Sequence, residues 1–183
     1  MKKLIDLNDL KTIVDNRDNK KVVFTNGCFD ILHVGHIRFL DECKKEGDIL
    51  IVGLNSDKSV RVIKGICRPI VPFEQRAEIL ASIGVVDYVV GFDDSTPYGL
   101  IKSIEPDVLV KGADWDESKI VGSEFVNSRG GKVVRVRFTV STSSSQIIYS
   151  ILRKFGKNNE CLLQGECHLN GNNQKQLEES RPN

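Results

Sequence analysis

Thr25-Asn26-Gly27-Cys28-Phe29-Asp30-Ile31-Leu32-His33-Val34-Gly35-His36 is the stretch on which the fold turns. It continues the β-branched run that starts at Lys21 and leads into a segment where Ile37, Leu40 and Cys43 recur at helical spacing. A strand, a glycine-bearing turn and a helix in that order open a βα unit. Two histidines flank Gly35 at the junction, where a helix N-terminus offers unpaired N–H groups and the positive end of its dipole. Gly35 lets a ligand approach the backbone and the imidazoles add directional donors, so the stretch predicts a phosphate site. It is neither a Gly-x-x-x-x-Gly-Lys-Ser/Thr loop nor a Gly-x-Gly-x-x-Gly turn.

The same alternation repeats outward from this unit. Apolar runs at Lys21 to Thr25, Ile49 to Leu54, Tyr88 to Val90, Val108 to Val110 and Val133 to Val136 read as strands. Helical patterns lie between and after them: the face of Ile37, Leu40 and Cys43, then Phe73 to Ile83, Leu100 to Ile104 and Ser144 to Phe155. The expected architecture is α/β, a Rossmann-like open parallel five-stranded sheet with helices on both faces. Ligands of such sheets bind beyond the carboxyl ends of the strands, so the loops starting at Thr25, Asn55, Gly91, Lys111 and Arg137 should share one rim. Ahead of the first strand, Asp6 to Val14 reads as a short amphipathic helix, with Leu7, Leu10, Ile13 and Val14 against the domain's flank. From about Gly156 the composition turns to Asn, Gln, Glu, Lys and Gly, which bury little apolar surface. One folded domain over 1–155 and a disordered tail over 156–183 are expected.

Composition narrows the function. The chain has 183 residues, 40% hydrophobic and 28% charged, in the range of ordinary globular domains. Lys and Arg number 26 against 25 Asp and Glu, so no overall charge argues for nucleic acid or an anionic membrane. The longest apolar runs fall far short of the ~18–20 residues needed to cross a bilayer, and no secretory leader follows Met1-Lys2-Lys3. A cytoplasmic location is expected. Cys28, Cys43, Cys67, Cys161 and Cys167 are odd in number and scattered, which argues for reduced thiols. Cys161, Cys167 and His168 offer three soft ligands without a fourth and read as incidental.

Other candidates cluster on the expected rim. Asn55-Ser56-Asp57 ends the second strand and is followed by Lys64, Arg68 and Arg76, cations that suit a site where anions meet. Solvated surface charge is the alternative for each of them, and Arg76, opening a helix after Pro72, is the strongest candidate. Trp115 follows Lys111-Gly112-Ala113-Asp114, where it could stack on a base or simply cover a loop. Ser143, Ser144 and Ser145 precede the last helix, where they can cap it, bind an anion, or both. His33 and His36 could instead be unrelated surface residues or zinc ligands, but no cysteine has the spacing to complete a zinc site.

Gly27-Cys28-Phe29-Asp30-Ile31-Leu32-His33-Val34-Gly35-His36 resembles in full the Gly-x-Phe-Asp-x-x-His-x-Gly-His signature of the cytidylyltransferase-like nucleotidyltransferases. The resemblance extends over about Asp6 to Phe155 and is nearest to the ADP-heptose-forming branch, the adenylyltransferase part of bacterial heptose-phosphate enzymes. Asn55-Ser56-Asp57, Arg68-Pro69-Ile70-Val71-Pro72-Phe73-Glu74-Gln75-Arg76 and Leu109 to Trp115 carry it. It implies transfer of AMP from ATP, with Mg2+, to a heptose 1-phosphate, releasing pyrophosphate, with His33 and His36 on the triphosphate and Lys64 and Arg76 beside them as catalytic cations. Asn26, Gly27, Cys28, Phe29, Gly35, Gly112, Asp114, Trp115 and Ser143 to Ser145 would line the nucleotide site. Asp30, Asn55, Asp57 and Arg68 would bind the acceptor, and no metal would be held by the protein alone. Ser143-Ser144-Ser145 departs from the usual Ser-Thr-Thr but keeps the hydroxyls. The fused sugar kinase common in that branch does not fit in this length, which implies a stand-alone enzyme, and family members commonly form homodimers. A glycerol-3-phosphate cytidylyltransferase is the runner-up, although Cys28 stands where those enzymes usually have Thr and their Arg before Val86-Asp87 is missing. A nucleotide sensor without turnover is the non-enzymatic alternative, favoured by nothing in the sequence.

Overall fold

The computed structural model describes residues 3–113, 119–137, 140 and 142–155, in which strands and helices alternate along the chain. The strands are β1 (Leu4–Ile5), β2 (Val22–Gly27), β3 (Ile49–Asn55), β4 (Tyr88–Phe92), β5 (Val108–Gly112) and β6 (Lys132–Val136). All pair in parallel, in the order β1-β4-β3-β2-β5-β6. The sheet therefore has six strands, not the expected five. The extra strand, β1, pairs Leu4 with Val89 and Ile5 with Val90 at the sheet edge. Two residues are too few to display an alternation, so nothing in the sequence marks it.

The helices are α1 (Leu7–Asp15), α2 (Val34–Lys44), α3 (Asp57–Lys64), α4 (Phe73–Ser82), α5 (Tyr98–Ile104), α6 (Ser123–Ser128) and α7 (Ser144–Phe155). Alternation along the strands sorts the core into two layers. Val23, Leu50, Val52, Val89, Val108 and Val110 pack with Phe39, Leu40 and Cys43 of α2 and with Ala77 and Leu80 of α4. Val22, Phe24, Ile51, Val90 and Leu109 face the other way, onto Leu10 of α1, Ile101 and Ile104 of α5 and Val126 of α6. Each fully buried Leu or Ile contributes ~1.5–3 kcal/mol. Asp6 caps α1 by accepting from the amides of Asn8 and Asp9, each at 2.8 Å. Leu7 does not join the flank contact as expected; it is 59% exposed, while Leu10 is fully buried.

Chain order fixes where a ligand can sit. From β2 the chain steps outward through β3 to β4, then crosses back to place β5 on the opposite side of β2. The strand order reverses between β2 and β5, so their carboxyl ends flank the crevice of an open α/β sheet. Lys111 of β5 reaches Asn26 of β2 there, its ammonium donating to the amide oxygen. No helix among the described residues is long and apolar enough to cross a membrane.

Candidate functional site

β2 ends at the switch point, and its continuation is a tight turn around Asp30. Phe29 and Ile31 both adopt positive φ, 46° and 49°, a conformation costly for any side chain and most of all for β-branched Ile31. Asp30 between them holds the turn closed. Its carboxylate is buried and accepts from Arg68 Nε at 2.7 Å, Ile70 N at 2.9 Å and Val71 N at 2.9 Å. Its carbonyl accepts from the Ser144 hydroxyl. Asp30 thus joins three segments and has no free face for the acceptor expected of it; it positions Arg68 rather than a substrate.

The two histidines form the N-terminus of α2. His33 is the N-cap, its Nδ1 accepting from Gly35 N at 3.1 Å, and His36 Nδ1 accepts from His33 N at 3.4 Å. This is a capping box built from two imidazoles, which satisfies amides a helix start otherwise leaves unpaired. Because each Nδ1 is an acceptor, each proton sits on Nε2, so both rings are left as donors. The rings stack with centroids 3.9 Å apart, and Phe29 closes on His36 at 5.3 Å. Burial pushes the His36 pKa down to about 4, helped by the His33 charge; burial lowers His33 as well. Both rings are neutral donors at neutral pH.

A pH dependence follows with a definite sign. His36 binds a proton more readily in the unfolded chain, near 6.5, than in the folded one, near 4. Its contribution is fully present above about pH 6.5 and is lost as the pH falls toward 4. NMR titration of the His36 ring in the free protein is expected to show a midpoint near 4. A midpoint at the ordinary histidine value would contradict the buried stack.

α7 begins at the same place. Ser143 caps it, its hydroxyl accepting from Gln146 N at 3.2 Å while Gln146 Oε1 accepts from Ser143 N at 2.9 Å. A Cβ at Gly35 would lie 3.3 Å from the Thr142 carbonyl oxygen and 2.9 Å from the His33 ring. The N-termini of α2 and α7 therefore meet at Gly35, and two positive dipole ends converge on one spot. The Ser143 and Ser144 hydroxyls serve the cap and Asp30, while half-buried Ser145 makes no hydrogen bond with another described residue. Gly35→Ala is expected to push the His33 ring off its cap and lower turnover at least ~100-fold, a displacement that misaims a charge-stabilising donor. Steady-state kinetics check this; wild-type kcat in the variant would contradict it.

The expected cations separate into two kinds. Arg76 is 1% exposed, and its guanidinium donates to Val71 O (2.9 Å), Cys28 O (2.6 Å), Asn55 O (2.9 Å) and Asp57 Oδ1 (2.6 Å). It clamps three loops together and corrects the expectation of a catalytic cation, because four of its five donors are held by the protein. Asn55 and Asp57, expected at the acceptor, are likewise turned inward, Asn55 to Ser59 at 2.9 Å and Asp57 to Arg76. Arg68 uses its Nε for Asp30, and its other four N–H groups make no hydrogen bond with another described residue. Lys64, exposed at the end of α3, makes no hydrogen bond or ion pair with another described residue. Lys64, Arg76 and Arg68 all act on the Cys28 thiol, whose pKa burial nonetheless raises. Burial thus works against a thiolate at Cys28 and does not activate it as a nucleophile.

Gly27 packs under the Phe29 ring, 3.1 Å from where its Cβ would stand, and Gly112 ends β5 on the far side of the crevice. Lys111 was not among the expected site residues, although a lone cation at a strand's carboxyl end was the available signal. Asp114, Trp115 and the tail from 156, with Cys161, Cys167 and His168, lie outside the described residues. Among the described residues no three His, Cys, Asp or Glu side chains group as a metal site.

A parallel α/β sheet with a histidine-capped helix at its switch point defines a Rossmann-like nucleotide-binding domain. The chain belongs to the cytidylyltransferase-like family, whose model matches residues 24–151. It is 47% identical over 157 residues to the bifunctional protein HldE of Geobacter metallireducens, covering 85% of this chain and 32% of that protein. With HldE of Citrifermentans bemidjiense it shares 51% over 136 residues, 74% of this chain and 28% of the relative. The chain thus spans about a third of the length of these curated relatives. A lipopolysaccharide core biosynthesis protein from Thermoplasma volcanium superposes with a TM-score of 0.56 at 29% identity, over 68% of this chain and all of that one. The pantoate-beta-alanine ligase of Francisella tularensis, at 18% identity over 87% of this chain and 82% of its own, shares the fold with a TM-score of 0.57.

Proposed function

We propose that the chain transfers AMP from ATP to D-glycero-β-D-manno-heptose 1-phosphate, giving ADP-heptose and pyrophosphate for lipopolysaccharide or other surface-glycan precursors. The observation that carries the reading is the stacked pair His33 and His36, with both Nδ1 atoms occupied by the backbone and both Nε2–H groups left as donors beside two helix N-termini. The identity to HldE proteins and the likeness to a lipopolysaccharide core biosynthesis protein support the choice of acceptor.

The acceptor phosphate oxygen attacks the α-phosphorus of ATP, the new P–O bond forms as the bond to the bridging oxygen breaks, and pyrophosphate leaves with that electron pair. Two anions must be brought together, so positioning and charge neutralisation are the protein's task. His33 and His36 donate to the triphosphate, and the α2 and α7 amides around Gly35 hold its oxygens. Arg68, held by Asp30, and Lys64 draw in the acceptor phosphate. No proton transfer by a protein base is needed, because the attacking phosphate is already ionised. Mg2+ bound to ATP supplies further charge screening. Asp30 and Asp57 are committed to arginines, so this donor set suits a metal carried on the phosphates rather than one caged by side chains.

Pyrophosphate release with ATP or CTP, each against heptose 1-phosphate or glycerol 3-phosphate, tests the reading. Turnover with ATP and the heptose alone is the expected result. Turnover with CTP and glycerol 3-phosphate would overturn the substrate assignment, and silence in all four would favour a sensor.

A further inference from the structure

A cleft of about 620 Å3 opens at the carboxyl end of β4, on the opposite side of β3 from the histidine turn. Its volume lies within the ~300–1,000 Å3 usual for small-molecule sites. Ser56, Phe73, Phe92, Asp93, Asp94 and Ser103 contribute to its lining. Hydrogen bonds tie its wall rigidly to the turn: Ser56 N to Phe92 O at 2.9 Å, Ser59 Oγ to Asp94 O at 2.8 Å, and Asn55 Nδ2 to Ser59 Oγ at 2.9 Å. Arg76 completes the link by donating to both Asn55 O and Cys28 O. Gly91 is what lets the tip of the Phe73 ring come up against β4, since a Cβ there would stand 2.7 Å from its Cζ.

Charge is divided along this line. On the histidine side lie Lys64, Arg68 and two helix N-termini, which favour phosphate. In the cleft the charged groups are Asp93 and Asp94, both exposed, and neither carboxylate makes a hydrogen bond or ion pair with another described residue. Two carboxylates repel a phosphate, yet they accept hydrogen bonds from neutral hydroxyls, while aromatic rings cover C–H faces. A ligand matching both regions has an anionic end and a neutral, polyhydroxylated body.

We propose that this cleft binds the polyhydroxylated body of the acceptor, Asp93 and Asp94 accepting from its hydroxyls while its phosphate lies toward Lys64 and Arg68. This rests on the sugar-phosphate acceptor reading and deepens it: the cleft selects which sugar phosphate is used. Neither aspartate carries the transfer step, so the acceptor KM should respond and kcat should not.

The test is steady-state kinetics of the full chain with ATP, Mg2+ and heptose 1-phosphate, on wild type, Asp93→Asn, Asp94→Asn and the double alanine variant. The acceptor KM is expected to rise about tenfold or more in the double variant, with the ATP KM and kcat within about twofold of wild type. An unchanged acceptor KM alongside wild-type turnover overturns the cleft assignment alone. A rise in both KM values together with a fall in kcat overturns it as well, as that marks a general structural role. If wild type turns over the heptose with neither ATP nor CTP, the acceptor reading fails and the cleft assignment with it.

Discussion

Replacing His33 or His36 by alanine is expected to lower kcat by about 100- to 1,000-fold, the loss of one preaimed donor worth ~2.7–4 kcal/mol at the transition state. Each histidine also caps α2, so the alanine variants lose about 1 kcal/mol of stability besides. His33→Asn separates the two roles. Asparagine is a strong N-cap and can accept from Gly35 N as His33 does, but it has no ring to reach outward with an Nε2–H. Denaturation should find His33→Asn as stable as wild type, while its kcat falls with that of His33→Ala. Wild-type turnover in His33→Asn would make the histidine a cap and nothing more.

Arg76→Ala is expected to cost about 3–5 kcal/mol of stability, the penalty for removing one partner of a buried ion pair. The variant would leave Asp57 without its arginine and remove a donor from the carbonyls of Cys28, Asn55 and Val71. Against the ~5–15 kcal/mol that holds a domain folded, the loss is large. Urea denaturation should give a much lower midpoint, and Arg76→Lys should recover only part of it, because an ammonium cannot reproduce the fork geometry. A wild-type midpoint with lost activity would return Arg76 to the catalytic role that its position in the sequence suggests.

Arg76 also illustrates where reading from sequence stops. A single arginine at a helix start reads as surface or substrate-facing charge. Its burial is decided by three carbonyls and a carboxylate brought together from β3, the turn at Cys28, the loop at Val71 and the start of α3, of which only Val71 is near it in the chain. Asp30 is similar: the motif names it, but only the packed turn reveals that Arg68, Ile70 and Val71 occupy its carboxylate. Local features were legible. The alternation of β2 to β6, the α7 span and the histidine-flanked Gly35 follow from side-chain period and helix-end chemistry. The sequence reading has no helix at α3, an eight-residue segment of which Ser59 and Val60 are buried while Val62 is 71% exposed and Ile63 39%. α6 spans only six residues, too short to show a period.

The central claim is that the bond broken lies at the α-phosphorus of ATP and that the AMP unit moves to the sugar phosphate. Incubating the protein with heptose 1-phosphate, Mg2+ and ATP radiolabelled at the α-phosphorus, then separating the products, tests it most directly. The label should appear in a sugar nucleotide, dependent on the heptose and lost in His36→Ala, while label placed at the γ-phosphorus should leave as pyrophosphate. An α-label that stays in free nucleotides, with the γ-label passing to the sugar or released as phosphate, would contradict nucleotidyl transfer at this site.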